Sequence, residues 1–132
     1  MLAIARRRAQ VLGISADLRL GDAQFLDFPD ASFDTAVAAF VFCSVPDPLL
    51  GLRELRRVVR PGGQVLLLEH VRPANPVLGA LLDTLNPLVV RLIGANVNRP
   101  TVETVRSAGL QLETVEDLGM GGMYKLIAAR VG

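Results

Sequence analysis

The sequence is poor in the residues from which most reactive sites are built. Its 132 residues hold one cysteine, one histidine, one tyrosine and no tryptophan. A single cysteine, Cys43, cannot close an internal disulfide, and a reducing compartment is favoured. One histidine and one cysteine do not make a metal-ligand cluster, so no metal site is expected. No Ser–His–Asp arrangement is suggested. Net charge is also scarce: 14 basic against 13 acidic residues give +1, too weak a field to draw in nucleic acid. Arg6, Arg7 and Arg8 form the only basic run, which reads as the solvated face of a helix. The N-terminus lacks the charged-then-apolar layout of a signal peptide. The most apolar stretch, 76–95, is interrupted by Asp83, Asn86, Pro87 and Arg91. A membrane span needs about 20 mostly apolar residues, so no transmembrane segment is expected. The expected location is cytoplasmic.

Half the residues are hydrophobic and a fifth charged, enough apolar material for one globular core. Residues 2–12 carry a helical apolar face with Gly13 as its stop, yet no Ser, Thr, Asp or Asn precedes them as a cap. "ADLRLGDA" alternates, placing Leu18 and Leu20 on one side, and predicts a short strand over 17–22. "FLDFPDASFD" is loop, and "TAVAAFVFC" is a continuous apolar run suited to a parallel strand buried on both faces. Asp47 and Pro48 open a helix in which Leu52, Leu55 and Val59 recur at helical spacing. "RPGG" ends it, and "QVLLLEHV" predicts a second buried strand. A broad leucine stripe over 77–93 predicts a helix that Pro87 should bend or divide. "TVETVRSAG" predicts a short helix with Thr101 as N-cap and Gly109 as C-cap. The last two apolar segments, "LQLETVEDL" and "MYKLIAARV", are joined by so few residues that their strands must be antiparallel. "LGMGGMY" (118–124) leads into a strand rather than a helix, so it predicts a hairpin turn and not a phosphate loop. No internal repeat or low-complexity tract is present. Strands alternating with helices place the chain in the α/β class as a single domain.

"GDAQFLDFPDASFDTAVAAF" followed by "VPDPLLGLRELRRVVRPGGQVLLLE" resembles the class I S-adenosylmethionine-dependent methyltransferases, nearest their ubiquinone/menaquinone-biosynthesis and phospholipid branch. The resemblance runs along the chain and is strongest over 20–70. The ordered set carries it: a strand ending Gly-Asp-Ala, a proline loop, "SFD" entering the next strand, a helix, Arg-Pro-Gly-Gly, and a further strand. It implies a Rossmann-like sheet of strand order 3-2-1-4-5-7-6, incomplete here because the first two strands are absent, and closed by a C-terminal antiparallel pair. It implies S-adenosyl-L-methionine as cofactor and a small, apolar or lipid-like methyl acceptor.

The resemblance also assigns residues. Asp22 would accept from the adenine N6 amine, and the Ala23 N–H would bond an adenine ring nitrogen; an ordinary turn aspartate is the competing reading of Asp22. Phe40 and Val41, at a strand end, would face the transferred methyl, though core packing explains Phe40 and Phe42 as well. His70 is a candidate general base at the next strand end, or a wall residue. Asn96, Asn98 and Arg99 are candidate acceptor-pocket residues, or helix-cap residues. Asp34 is structural. The glycine-rich turn and the ribose-holding acidic residue of the family do not occur in this sequence. The chain therefore reads as an N-terminally truncated domain, 1–132, that starts inside a helix. It is expected to bind cofactor weakly, to be weak or inactive alone, and to be prone to self-association through the incomplete sheet. The alternatives are a non-catalytic methyltransferase-like binding or partner subunit and, more distantly, a nicotinamide-dependent Rossmann enzyme.

Overall fold

The computed structural model describes residues 2–72, 75–96, 98–119 and 123–132, with Ile93 described by its backbone only. In chain order the elements are α1 (Leu2–Val11), β1 (Phe33–Ala39), α2 (Pro48–Val58), β2 (Val59–His70), α3 (Pro76–Ile93), α4 (Thr101–Ser107), β3 (Leu110–Asp117) and β4 (Tyr124–Val131). The four strands form one sheet in the order β1-β2-β4-β3. β1 and β2 are parallel, and β4 runs antiparallel to both β2 and β3. This is the 4-5-7-6 portion of the expected sheet, with the expected antiparallel pair at its C-terminal end.

Alternation along the strands sets the core. Val65, Leu67 and Glu69 of β2 and Ile127 and Ala129 of β4 are fully buried on one face. Leu52 and Val58 of α2 and Val105 and Ala108 of α4 complete the same apolar cluster. The opposite face is barer, so the expected burial of "TAVAAFVFC" on both faces of the sheet does not hold: β1 ends at Ala39 and Val37 stays 72% exposed.

The helix signals are largely realised. Asp47 caps α2, its carboxylate accepting from Leu50 N at 3.0 Å, with Pro48 in the first turn. Gly13 lies at φ 64°, as a left-handed stop requires. At α4 the cap is shifted by one residue: Pro100 is the N-cap, Thr101 is already helical, and Ala108 is the C-cap with Gly109 beyond it at φ 81°. α3 is one helix through Pro87, so the expected division does not occur. Its leucine stripe is only partly covered, with Leu78, Leu82 and Val89 half-buried. Val77, Leu81, Leu85, Leu88 and Leu92 are 41–79% exposed. Polar groups tie the helix down instead: Asp83 to Arg72 and Asn98, and Asn86 to Asn96.

The expected strand over 17–22 is absent, and in its place lies an extended segment with one isolated bridge, Asp22 to Phe25. A strand exists only through its pairing. No described strand lies beside this one, so Leu20 is 92% exposed and Arg19 bonds Asp17. "RPGG" belongs to β2 rather than to a connecting turn: the register jumps from Phe33↔Val59 to Thr35↔Gln64, so residues 60–63 bulge out, with Gly62 at φ 76°. The expected hairpin turn of 118–124 falls partly on 120–122, outside the described residues; beside it, Leu118 N donates to Tyr124 O at 3.0 Å.

Candidate methyl-transfer site at the strand ends

β1 ends where Phe40 N donates to Leu68 O at 2.8 Å, the last ladder bond of that strand. Phe40 then turns to φ 54°, a left-handed conformation that a phenylalanine adopts only at a cost. The chain leaves the sheet, and the amides of Val41 and Phe42 both donate to one oxygen, Glu69 Oε1, each at 2.9 Å. Glu69 is fully buried. Burial pushes its carboxyl above the ordinary range, outweighing the amides of Phe42, Val41 and Cys43 and the Cys43 thiol, which pull it down. Its Oε2 has no hydrogen-bond partner among the described residues.

The turn sets Phe40 over the neighbouring strand ends. Its ring centroid lies 4.9 Å from that of His70 and 6.2 Å from that of Tyr124, and the last two are 4.4 Å apart. His70 and Tyr124 are cross-strand partners in the β2/β4 ladder, which fixes them side by side. Burial lowers the His70 pKa below its ordinary 6.5, favouring the neutral ring, and Nδ1 is buried without a partner among the described residues. A neutral imidazole keeps a lone pair on one of its two nitrogens and can accept a proton there.

This state of His70 has a measurable consequence. A histidine whose folded-state pKa is depressed contributes stability above the unfolded value of 6.5, and that contribution is lost as pH falls towards the folded value. His70→Phe keeps the aromatic stacking and removes the unpaired nitrogen. The variant is expected to be more stable than the parent by roughly 1 kcal/mol at pH 8, with a larger gap at pH 5. The raised Glu69 pKa acts in the opposite direction, its stability contribution falling as pH rises past 4.5, but it is common to both proteins and cancels. Urea midpoints at the two pH values check this; a gap that does not widen at pH 5 contradicts it.

The Asp22–Ala23 loop sits on the other side of Phe42. Gly51 of α2 is where they meet: a Cβ there would lie 2.8 Å from Phe42 Cε1 and 3.3 Å from Ala23 O. Asp22 is exposed and makes the aspartate turn, with Oδ1 accepting from Gln24 N at 2.9 Å and Oδ2 only a long 3.5 Å contact from Gln24 Nε2. Gln24 Oε1 accepts from Asp47 N at 2.7 Å and pins the loop to the start of α2. Glu54 and Arg57 strap the following residues down: Glu54 takes the Leu26 N–H, and Arg57 reaches the carbonyls of Leu26 and Phe28. Asp22 and Ala23 line a groove of about 390 Å³ together with Arg19, Phe25 and Phe28. The Asp22 carboxylate retains acceptor capacity there, since an ionised carboxylate offers about four lone-pair sites. The groove and this spare oxygen suit a flat heterocycle bearing an exocyclic amine.

The other sequence candidates divide. Asn96 binds Cys43 O through its own N–H (2.8 Å) and its Nδ2 (3.2 Å), bracing the Phe42–Cys43 turn from behind. Asn98 joins the Arg72–Asp83 pair. Arg99 lines a cleft of about 380 Å³ with Val71, Arg72, Thr101 and Lys125. A wider hollow of about 570 Å³ is lined only by α1 and Leu12 and shares no residue with the strand ends. Sequence reasoning passed over Glu69, Tyr124 and Gln24. A lone carboxylate closing the run "VLLLE" was the one available signal for the first.

The methyltransferase domain family model matches residues 1–67. The chain belongs to the methyltransferase domain family. Similar members include a demethylmenaquinone methyltransferase of Deinococcus radiodurans, 41% identical over 74% of this chain and 41% of its own length. A ubiquinone/menaquinone biosynthesis C-methyltransferase of Azotobacter vinelandii is 33% identical over 96% of this chain and 53% of its own. A phosphatidylethanolamine N-methyltransferase of Cereibacter sphaeroides is 44% identical over 53% of this chain and 36% of its own. This methyltransferase-family chain thus spans about one third to one half of the length of such relatives. The fold agrees: a putative methyltransferase of Bacillus halodurans superposes with a TM-score of 0.80, at 19% identity, over 98% of this chain and 78% of that one. The cyclase SpnF superposes at 0.77, at 23% identity, over 99% and 63%. The sheet is that of the class I, S-adenosylmethionine-dependent methyltransferases. Among the described residues, no helix is long and apolar enough to cross a membrane.

Proposed function

We propose that this chain forms the adenine-facing and acceptor-side part of an S-adenosylmethionine-dependent methyltransferase acting on a small apolar acceptor of the quinone or lipid class. One observation carries the reading. The C-terminal ends of β1 and β2, where open α/β sheets bind ligands, hold an ordered turn and an aromatic cluster, and the turn's Phe42 meets the Asp22–Ala23 loop at Gly51. The names of the relatives, demethylmenaquinone and phosphatidylethanolamine methyltransferases, support the acceptor class.

The cofactor, when bound, supplies a methyl group made electrophilic by its sulfonium. The chain's own residues bind and orient. Asp22 accepts from the adenine amine, and the Ala23 N–H donates to the ring. Phe40 and Val41 form the wall at the methyl and exclude water from it. His70 is the candidate base for the acceptor's proton, and Asn96, Asn98 and Arg99 shape the acceptor side. No residue of this sequence supplies the family's glycine-rich turn, so the chain alone should bind at around millimolar strength, about −4 kcal/mol.

Amide NMR titration with S-adenosylhomocysteine tests this on the 132-residue chain. Shifts are expected at 22–24 and 40–42, saturating only in the millimolar range, and absent with a nicotinamide dinucleotide. A short-chain naphthoquinone should move His70 and Tyr124. Shifts confined to other regions, or micromolar saturation, overturn the reading. β1 is also an edge strand, and we infer that a second copy pairs there. Translational diffusion in the same samples should slow as concentration rises, and a constant monomer value removes that part.

A further inference from the structure

We propose that Glu69 is a positioning residue of this site: its single oxygen Oε1, by holding two successive amides beyond the end of β1, fixes the left-handed turn at Phe40 and so aims the Phe40 ring at His70 and Tyr124. The functional part rests on the reading above; the conformational part does not.

The slot itself is the first argument. Val65, Leu67 and Glu69 point alternately into one face, and all three are 0% exposed. The pattern reserves that slot for an aliphatic side chain, and an unpaired carboxyl is costly there. A residue that breaks the pattern at a cost marks a local requirement other than packing.

Its partners show the requirement. The ladder between β1 and β2 ends with Phe40 N on Leu68 O. The next two donors, Val41 N and Phe42 N, belong to chain that has left the sheet, and Phe42 is 1% exposed. Glu69 Oε1 takes both, at 2.9 Å each. It thereby replaces the missing strand partner for two residues and compensates the backbone strain at Phe40, φ 54°. Asn96 braces the same turn from Cys43 O, so two side chains from separate elements converge on it.

Glu69 acts through the turn and touches no reacting atom. What it contributes is carbonyl-type acceptance at Oε1, the Cys43 amide and thiol also pointing towards the carboxyl, while Oε2 makes no hydrogen bond among the described residues. An amide can supply the same oxygen, and an aliphatic side chain cannot.

The test compares Glu69→Gln with Glu69→Leu by NMR. Glu69→Gln is expected to keep the Phe40 coupling constant diagnostic of positive φ, the ring-shifted His70 and Tyr124 signals, and slow exchange of the Val41 and Phe42 amides. Glu69→Leu is expected to keep the sheet signals but lose all three, with exchange of the two amides faster by roughly 100-fold. With S-adenosylhomocysteine added, Glu69→Leu should lose the shifts at 40–42 and retain those at 22–24. A Leu variant with Phe40 and the rings unchanged overturns the proposal. A Gln variant that loses them overturns it too, and decides the matter if the Leu variant does not fold. If the parent shows no ligand shifts at all, the proposed function fails, while the coupling and ring signals still test the positioning.

Discussion

Gly63→Ala is expected to destabilise the chain by roughly 3 kcal/mol or more, lowering the urea midpoint by about 1.5 M. Gly63 is buried in β2 at the neck of the 60–63 bulge. A Cβ there would lie 2.5 Å from Val59 Cγ1, 2.7 Å from Asp34 O and 2.8 Å from Arg60 O. Two of these atoms are backbone carbonyls on either side of the bulge, so relief requires β1 to move away from β2. That pair is the only parallel contact in the described sheet, and its upper end carries the Phe40 turn. Gly62→Ala is the control. Gly62 has open space around it but a φ of 76°. Its alanine should cost only the left-handed penalty, about 1–2 kcal/mol. Equal midpoints for the two variants would show that the crowding at Gly63 is relieved without loss.

Phe42→Ala should cost about 3–5 kcal/mol, the range for removing a buried phenylalanine. Phe42 is 1% exposed and belongs to the main core cluster. The loss should not be confined to stability. The Phe42 ring and the Ala23 carbonyl pack against the same glycine, Gly51. Without the ring, the 21–25 loop loses its support at the groove. The S-adenosylhomocysteine shifts at 22–24 should then disappear even at a temperature where the variant remains folded. Retained shifts with a lowered melting temperature would mean that Gln24 and Asp47 hold the loop unaided.

Much of the fold was legible because local chemistry and tertiary outcome agree. Asp47 and Pro48 start α2 where their capping chemistry requires, and the continuous apolar runs lie in neighbouring parallel strands, though β1 ends at Ala39 and is not buried on both faces. Legibility failed where a residue's meaning depends on a partner. Leu18 and Leu20 alternate as a strand should, but alternation describes faces and cannot provide the neighbour that makes a strand. The leucines of α3 have core periodicity, yet Asp83 and Asn86 anchor that helix and Leu81, Leu85, Leu88 and Leu92 stay exposed. At the strand ends, Phe40 and His70, both singled out from the sequence, lie with ring centroids 4.9 Å apart. Glu69 was missed because its role is to serve amides that depart from the sheet two strands' width of sequence away, a pairing no local pattern encodes. Asn96, a pocket or helix-cap candidate by sequence, also braces that turn from behind.

The bare side of the sheet and the unburied α1 also shape the energetics of the whole chain. A folded monomer of this mass typically exposes about 6,800 Å², whereas this one exposes 8315 Å². Less apolar surface is therefore left to be uncovered on melting. The heat-capacity increment of unfolding should be smaller than chain length alone suggests, and the stability curve correspondingly flatter. Low overall stability would then come with weak temperature dependence. Covering the exposed face with another polypeptide would add apolar burial and steepen that curve.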